Sequence, residues 1–221
     1  MALTRNAIIT EVMTETKRTD KQTYLETVFP DVLYEMSTAI TEDGEPIPLQ
    51  DLKASDSDST LSIVSGNYFV ALPTGFIFQF AEPELYYDTN KGRLLIKKSL
   101  EWMNYHYPNR ANNTSNKSKP VYYCLEKNRF DFAPMSDGTY SIIFPFTKLH
   151  PTVDDNSDTI LFKDHFKPVI KDWLKAKLWE LLDDDDKKDY HLGRGLNLLR
   201  SLSIVGKRNS EAALITEYND Y

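Results

Sequence analysis

One cysteine and four histidines in 221 residues exclude several kinds of chemistry. Cys124 alone can form neither an intramolecular disulfide nor a cysteine-rich metal site, which fits a reducing cytosol. It sits in an alternating segment, facing away from Tyr123, with nothing nearby to lower a thiol pKa; a small buried side chain is the expectation. No two of His106, His150, His165 and His191 lie at i, i+3 or i, i+4, so a helical zinc pair is absent. Long apolar runs are missing too. None approaches the ~20 residues of a membrane span, and the start, MALTRNAIITEVMTETKR, lacks a signal peptide's apolar core. A soluble product of the cytoplasm is expected, without cofactor or metal. Asn112, Asn113 and Asn116, each opening an Asn-x-Ser/Thr triplet, then mark a solvated loop.

Positive charge is also in short supply: 26 Lys+Arg face 33 Asp+Glu, a net −7. Phosphate contacts need clustered Lys and Arg, so the chain as a whole makes a poor nucleic-acid binder, and only a local basic patch stays open. Gly193-Arg194-Gly195 follows a helical acidic run rather than a strand and is no phosphate loop. The Asp183–Asp186 run reads as an acidic, solvated helix start.

What is present is 41% apolar and 12% aromatic residues, enough for a packed core. Ile8, Ile9, Val12 and Met13 predict a helix over 4–16 with Thr4 as N-cap. Tyr24, Leu25, Val28, Val32, Leu33, Met36 and Ile40 predict a second over 20–41, kinked or divided by Pro30. Residues 42–60, rich in Pro, Asp and Ser, read as a long connection. From Leu61 the period becomes two, with Phe76, Phe78 and Phe80 on one strand face and a short strand over 93–96. Ser99 caps a short helix that Pro108 ends.

The segment KPVYYCLEKNRFDFAPMSDGTYSIIFPF, beginning at Lys119, predicts a three-stranded antiparallel meander. Its turns are Lys127-Asn128, with Asn taking positive φ, and Met135–Gly138; Pro145 sets the end of the last strand at an edge. Phe166, Val169, Ile170, Trp173, Leu174, Leu178, Leu181 and Leu182 stripe a further helix. The last helix, from about Asp184, carries Leu196, Leu199 and Leu202 and stops at Gly206. The fold expected is α+β: a helical bundle from both chain ends, an inserted antiparallel β-meander and an extended C-terminal arm. The segments are 1–60 (helices and linker), 61–150 (β insertion), 151–205 (helices) and 206–221 (arm).

Glu82, Glu84 and Glu101 lie in or near the β segment, and a glycosidase needs two carboxylates in a cleft; yet 33 acids guarantee such candidates in any chain. The aromatic meander could serve as a stacking platform for nucleic acid or glycan, although core packing or subunit contact is the more economical use of its rings.

Four segments in order resemble the head-to-tail adaptor (connector, or head-completion) proteins of tailed bacteriophages. They are the N-terminal helices, NYFVALPTGFIFQF with GRLLIKKSLEWMNYHYP, the meander segment, and FKPVIKDWLKAKLWELL with the helix behind it. The resemblance covers about residues 4–205. It implies a non-enzymatic virion protein, made in the host cytoplasm, that forms a ring of twelve copies on the portal. Such a ring meets tail or nozzle proteins, and DNA passes through it without sequence-specific binding. It also implies a portal-docking arm over 206–221, with Lys207, Arg208, Ala213, Leu214, Ile215, Tyr218 and Tyr221 as anchors. Tyr122 and Tyr140 are the expected subunit contacts. The alternatives are a tail-associated cell-wall glycosidase and an aromatic nucleic-acid or glycan-binding module; the module requires an exposed Tyr122 or Tyr140 flanked by Lys or Arg.

Overall fold

The structure is a computed structural model that describes residues 3–41, 43–79, 81–88, 91–109, 112 and 117–218, with backbone alone for 56, 57 and 204–218. Two compact units divide the chain: Met1–Leu52 with Leu149–Tyr221, and Lys53–Lys148 between them in sequence.

In the helical unit, α1 (Arg5–Thr16) buries Ile8, Ile9, Val12 and Met13, the face its spacing predicts. Thr4 stands at the N-cap position but its side chain makes no cap hydrogen bond; its backbone bridges Thr159 instead. α2 (Gln22–Ser37) runs unbroken through Pro30 and buries Leu25, Phe29, Val32, Leu33 and Met36. Pro30 therefore does not divide the helix. Ile40, expected on its apolar stripe, lies past the helix end and is 54% exposed. The connection that follows is not merely solvated, because Ile47, Leu49 and Leu52 are buried in this unit's core.

α5 (Lys167–Leu181) buries Val169, Ile170, Trp173, Leu174 and Leu178 against α1 and α2. Leu181 departs from the expected stripe and is exposed. The helix breaks at the acidic run as anticipated. Asp183 takes φ 53°, and the Lys187 N–H donates to Asp184 Oδ1 at 3.2 Å to start α6 (Asp185–Tyr218). Leu199 is buried and Leu196 and Leu202 pack beside it. The α6 backbone passes through Gly206 to Tyr218, so the stop expected at Gly206 is not where the helix ends.

In the β unit, α3 (Asp56–Ser59) precedes β1 (Thr60–Ile63), β2 (Phe69–Ala71), β3 (Phe76–Gln79), β4 (Glu84–Asp88), β5 (Lys91–Leu94) and β6 (Ile96–Lys97). The strand expected over 93–96 is thus split, with Leu95 buried between its parts. Phe80 lies outside the described residues, so the three-phenylalanine face is seen only at Phe76 and Phe78. α4 (Leu100–His106) is capped as expected, Ser99 Oγ accepting the Trp102 N–H at 3.1 Å.

Next come β7 (Tyr122–Glu126), β8 (Arg129–Ala133), β9 (Tyr140–Ile143) and β10 (Phe146–Lys148). β7 and β8 form the predicted hairpin, but Lys127, not Asn128, takes the positive φ, at 32°. The three-stranded meander does not form. The outer edge of β8 is already taken by β2, where Val70 pairs with Phe130, so β9 leaves to lie between β1 and β4. Backbone bonds from Gly66 to the Ser136 carbonyl and from Ser136 to the Asn67 carbonyl hold the departing turn. The sheets run β1-β9-β4-β5, β10-β3 and β2-β8-β7-β6, antiparallel except for the short parallel β6–β7 pair. Pro145 lies between β9 and β10, where its missing N–H interrupts no ladder. Their shared core is aromatic: Phe130 meets Phe144 at 4.1 Å between centroids, and Phe76 lies 5.7 Å from both Phe144 and Phe146.

Candidate functional site

Two of the four histidines are held in structural hydrogen bonds. His150 is buried; its Nε2 accepts the Leu161 N–H at 2.9 Å, which leaves Nδ1 to donate to the Pro151 carbonyl at 2.7 Å. Burial pushes its pKa below the usual histidine value. His191 Nδ1 lies 3.1 Å from the buried carboxylate of Asp172, and Arg194 Nε lies 3.3 Å from that carboxylate's other oxygen, so the cluster ties α6 to α5. Cys124 is buried, with Met103 and Ala133 in the same small cluster.

Carboxylates of the β unit accept from tyrosines. Buried Tyr123 donates to Glu82 and accepts from Gln79 Nε2 at 2.6 Å; burial first, then the Glu82 carboxylate, raises its pKa. Tyr86 donates to Glu84 Oε2 at 2.9 Å. Glu84 lies across Gly92, where a Cβ would meet its Oε1 at 2.3 Å. Glu101 is exposed on α4. Among the described residues, no group of three His, Cys, Asp or Glu is arranged to hold a metal ion. Nor is any helix there long and apolar enough to cross a membrane.

An aromatic cluster surrounds Tyr122. Ser99 starts α4 so that Leu100, Trp102 and Met103 come down on the Tyr122 and Cys124 face of β7. Trp102 lies 4.8 Å from Tyr122 and 4.2 Å from His106 between centroids, and Tyr107 lies 6.1 Å from Tyr122. Lys98 Nζ sits 5.0 Å from the Trp102 ring centre, a cation–π contact. Tyr105 projects from α4 with 81% of its surface exposed, its ring edge-on to His106. Nearby in the chain, Arg93 Nη2 donates to the Pro120 carbonyl at 2.5 Å and the Lys119 carbonyl at 3.0 Å, while Lys119 Nζ stands 4.4 Å over exposed Tyr87.

Of the residues singled out in sequence, Tyr122 belongs to this cluster and is half-buried. Tyr140 is in a different sheet; it packs against the aromatic core and donates to Asp137 Oδ1 at 2.6 Å, which first, with burial, pushes its pKa up to about 12. The side chains of Lys207, Arg208, Ala213, Leu214, Ile215 and Tyr218, and all of Tyr221, lie outside the described residues. Sequence reasoning missed Trp102, Tyr105 and Tyr107 as a surface, although a signal was present: residues 91–119 hold seven Lys/Arg against one Glu.

No curated protein matches the chain in sequence. The family model of the SU10 adaptor protein matches residues 4–216, which spans both units and every element from α1 into α6. A chain of this α+β build, matched over nearly its whole length, belongs to the SU10 adaptor protein family, the phage head-to-tail adaptors.

Proposed function

We propose that the protein forms a ring, of twelve copies, on the portal of a tailed phage and joins the DNA-filled head to the tail. The observation that carries this reading is the family match over residues 4–216. A ring component contacts its neighbour through two different patches, and the contact closes only if rotation returns the last copy to the first. Half-buried Tyr122 and Tyr140 offer ring area of the kind such contacts favour. Residues 206–221 dock on the portal through Ala213, Leu214, Ile215, Tyr218 and Tyr221, with Lys207 and Arg208 as charged anchors. DNA passes the ring without sequence-specific contact, and the assembled protein resides at the head–tail junction of the virion.

The test is capture by purified portal rings from the same phage, using the full chain and a form ending at Gly206. Stoichiometric binding of the full chain with much weaker binding of the shortened one supports both the adaptor role and the docking segment. Equal binding removes the docking segment alone. Failure of both on intact rings removes the portal-binding role.

A further inference from the structure

The charge of this chain is unevenly placed. Residues 91–119 carry seven Lys/Arg and one Glu, leaving 19 Lys/Arg against 32 Asp/Glu elsewhere. This basic stretch also carries the Trp102, Tyr105, His106 and Tyr107 rings, of which Tyr105 is the most exposed. Lys98 lies over Trp102, its chain neighbour Lys97 is exposed, and exposed Lys119 lies over Tyr87. We propose that this surface of α4 and β6 binds single-stranded nucleic acid without base specificity.

The warrant is the combination. Single strands are held by cations that follow the phosphates and by ring faces on which unstacked bases lie. An acidic peptide would use the lysines but leave the exposed face of Tyr105 without a partner. A duplex keeps its base faces stacked inside, so it too would use only the charge. The net −7 of the whole chain argues against general phosphate affinity, which confines the effect to this patch. The assignment is independent of portal binding, and either can fail without the other.

Fluorescence anisotropy of a labelled 20-nucleotide oligothymidylate with the full chain tests it. Binding at 50 mM NaCl should weaken about 50-fold at 200 mM if four phosphates are contacted at ~0.7 counterions each. Tyr105→Ala, on an exposed side chain, should weaken it about tenfold with an unchanged thermal melt. Lys97→Glu with Lys98→Glu should abolish it. A 20-base-pair duplex and an oligoglutamate peptide should compete poorly. No binding at 50 mM salt overturns the proposal, as does unaltered binding by the variants. Competition by the duplex or the peptide equal to that of unlabelled oligothymidylate also overturns it, since the surface would then read charge alone.

Discussion

Arg5 Nη2 donates to the Glu26 carbonyl at 2.6 Å. That carbonyl lies four residues before Pro30, whose ring has no N–H to give it. The buried guanidinium of α1, which also donates to the Asp154 carbonyl, thus supplies the hydrogen bond that lets α2 continue through a proline.

Arg5→Met should destabilise the helical unit by about 1–3 kcal/mol, because two part-buried carbonyls lose a charged donor. With Pro30→Ala already in place the loss should shrink by about 1 kcal/mol, since Ala at 30 reaches Glu26 with its own N–H. Urea denaturation of the four proteins measures the coupling; strictly additive effects would refute the link.

Two glycines of α6 should respond oppositely to alanine. A Cβ at Gly195 would come 2.9 Å from Cε3 of the buried Trp173 ring, whereas one at Gly193 meets nothing within 4 Å. Gly195→Ala should lower stability by about 1–3 kcal/mol through overpacking. Gly193→Ala should raise it by up to about 1 kcal/mol through helix propensity. Thermal melts of both settle the sign.

His150 sets a pH dependence. Its folded pKa is lowered by burial from 6.5, so above 6.5 both folded and unfolded chains hold it neutral and its contribution is complete. Below 6.5 the unfolded chain takes up the proton first, and stability falls as pH drops through the folded value. His150→Gln should be less stable at pH 7.5 yet lose less between pH 7 and 5. A wild-type slope retained in the variant would assign the effect elsewhere.

A charge ladder joins α1 to α5: Glu11 accepts from Lys167 and Lys171, and Glu15 from Lys171 and Lys175. The bond from Lys167 holds Glu11 below its ordinary value of 4.5; at Glu15 burial pushes upward and the two lysine bonds outweigh it. The stabilisation is present above pH 4.5 and is lost as pH falls through the lowered folded values. The glutamates are about 40% exposed, so each pair is worth under about 1 kcal/mol. Lys171→Met should cost less than about 1 kcal/mol at low salt and less still in 1 M NaCl. A loss insensitive to salt would point to packing by the lysine stem instead.

The helices were legible because their signals are local. The 3–4 spacing of Ile8, Ile9, Val12 and Met13 and the cap at Ser99 act within one or two turns, and the acidic break before α6 follows from the dipole of a helix start. The β7–β8 hairpin was legible for the same reason, as two alternating runs joined by a two-residue turn. The Tyr122 surface was half legible: its lysine excess can be counted, but the exposure of Tyr105 and the burial of Tyr123 cannot.

By itself, the sequence determined the α+β class, the core faces of the helices, the hairpin, the lack of a cysteine or histidine framework and the adaptor resemblance. Tertiary structure alone decided that β9 abandons the hairpin, because β2 occupies the edge of β8 from more than fifty residues away. It also decided that Pro30 sits within a continuous helix, because Arg5 reaches a carbonyl 21 residues on. Periodicity records which side of an element is apolar; which strand edge is free, and which orphaned carbonyl finds a donor, depends on segments that meet only when the chain has folded.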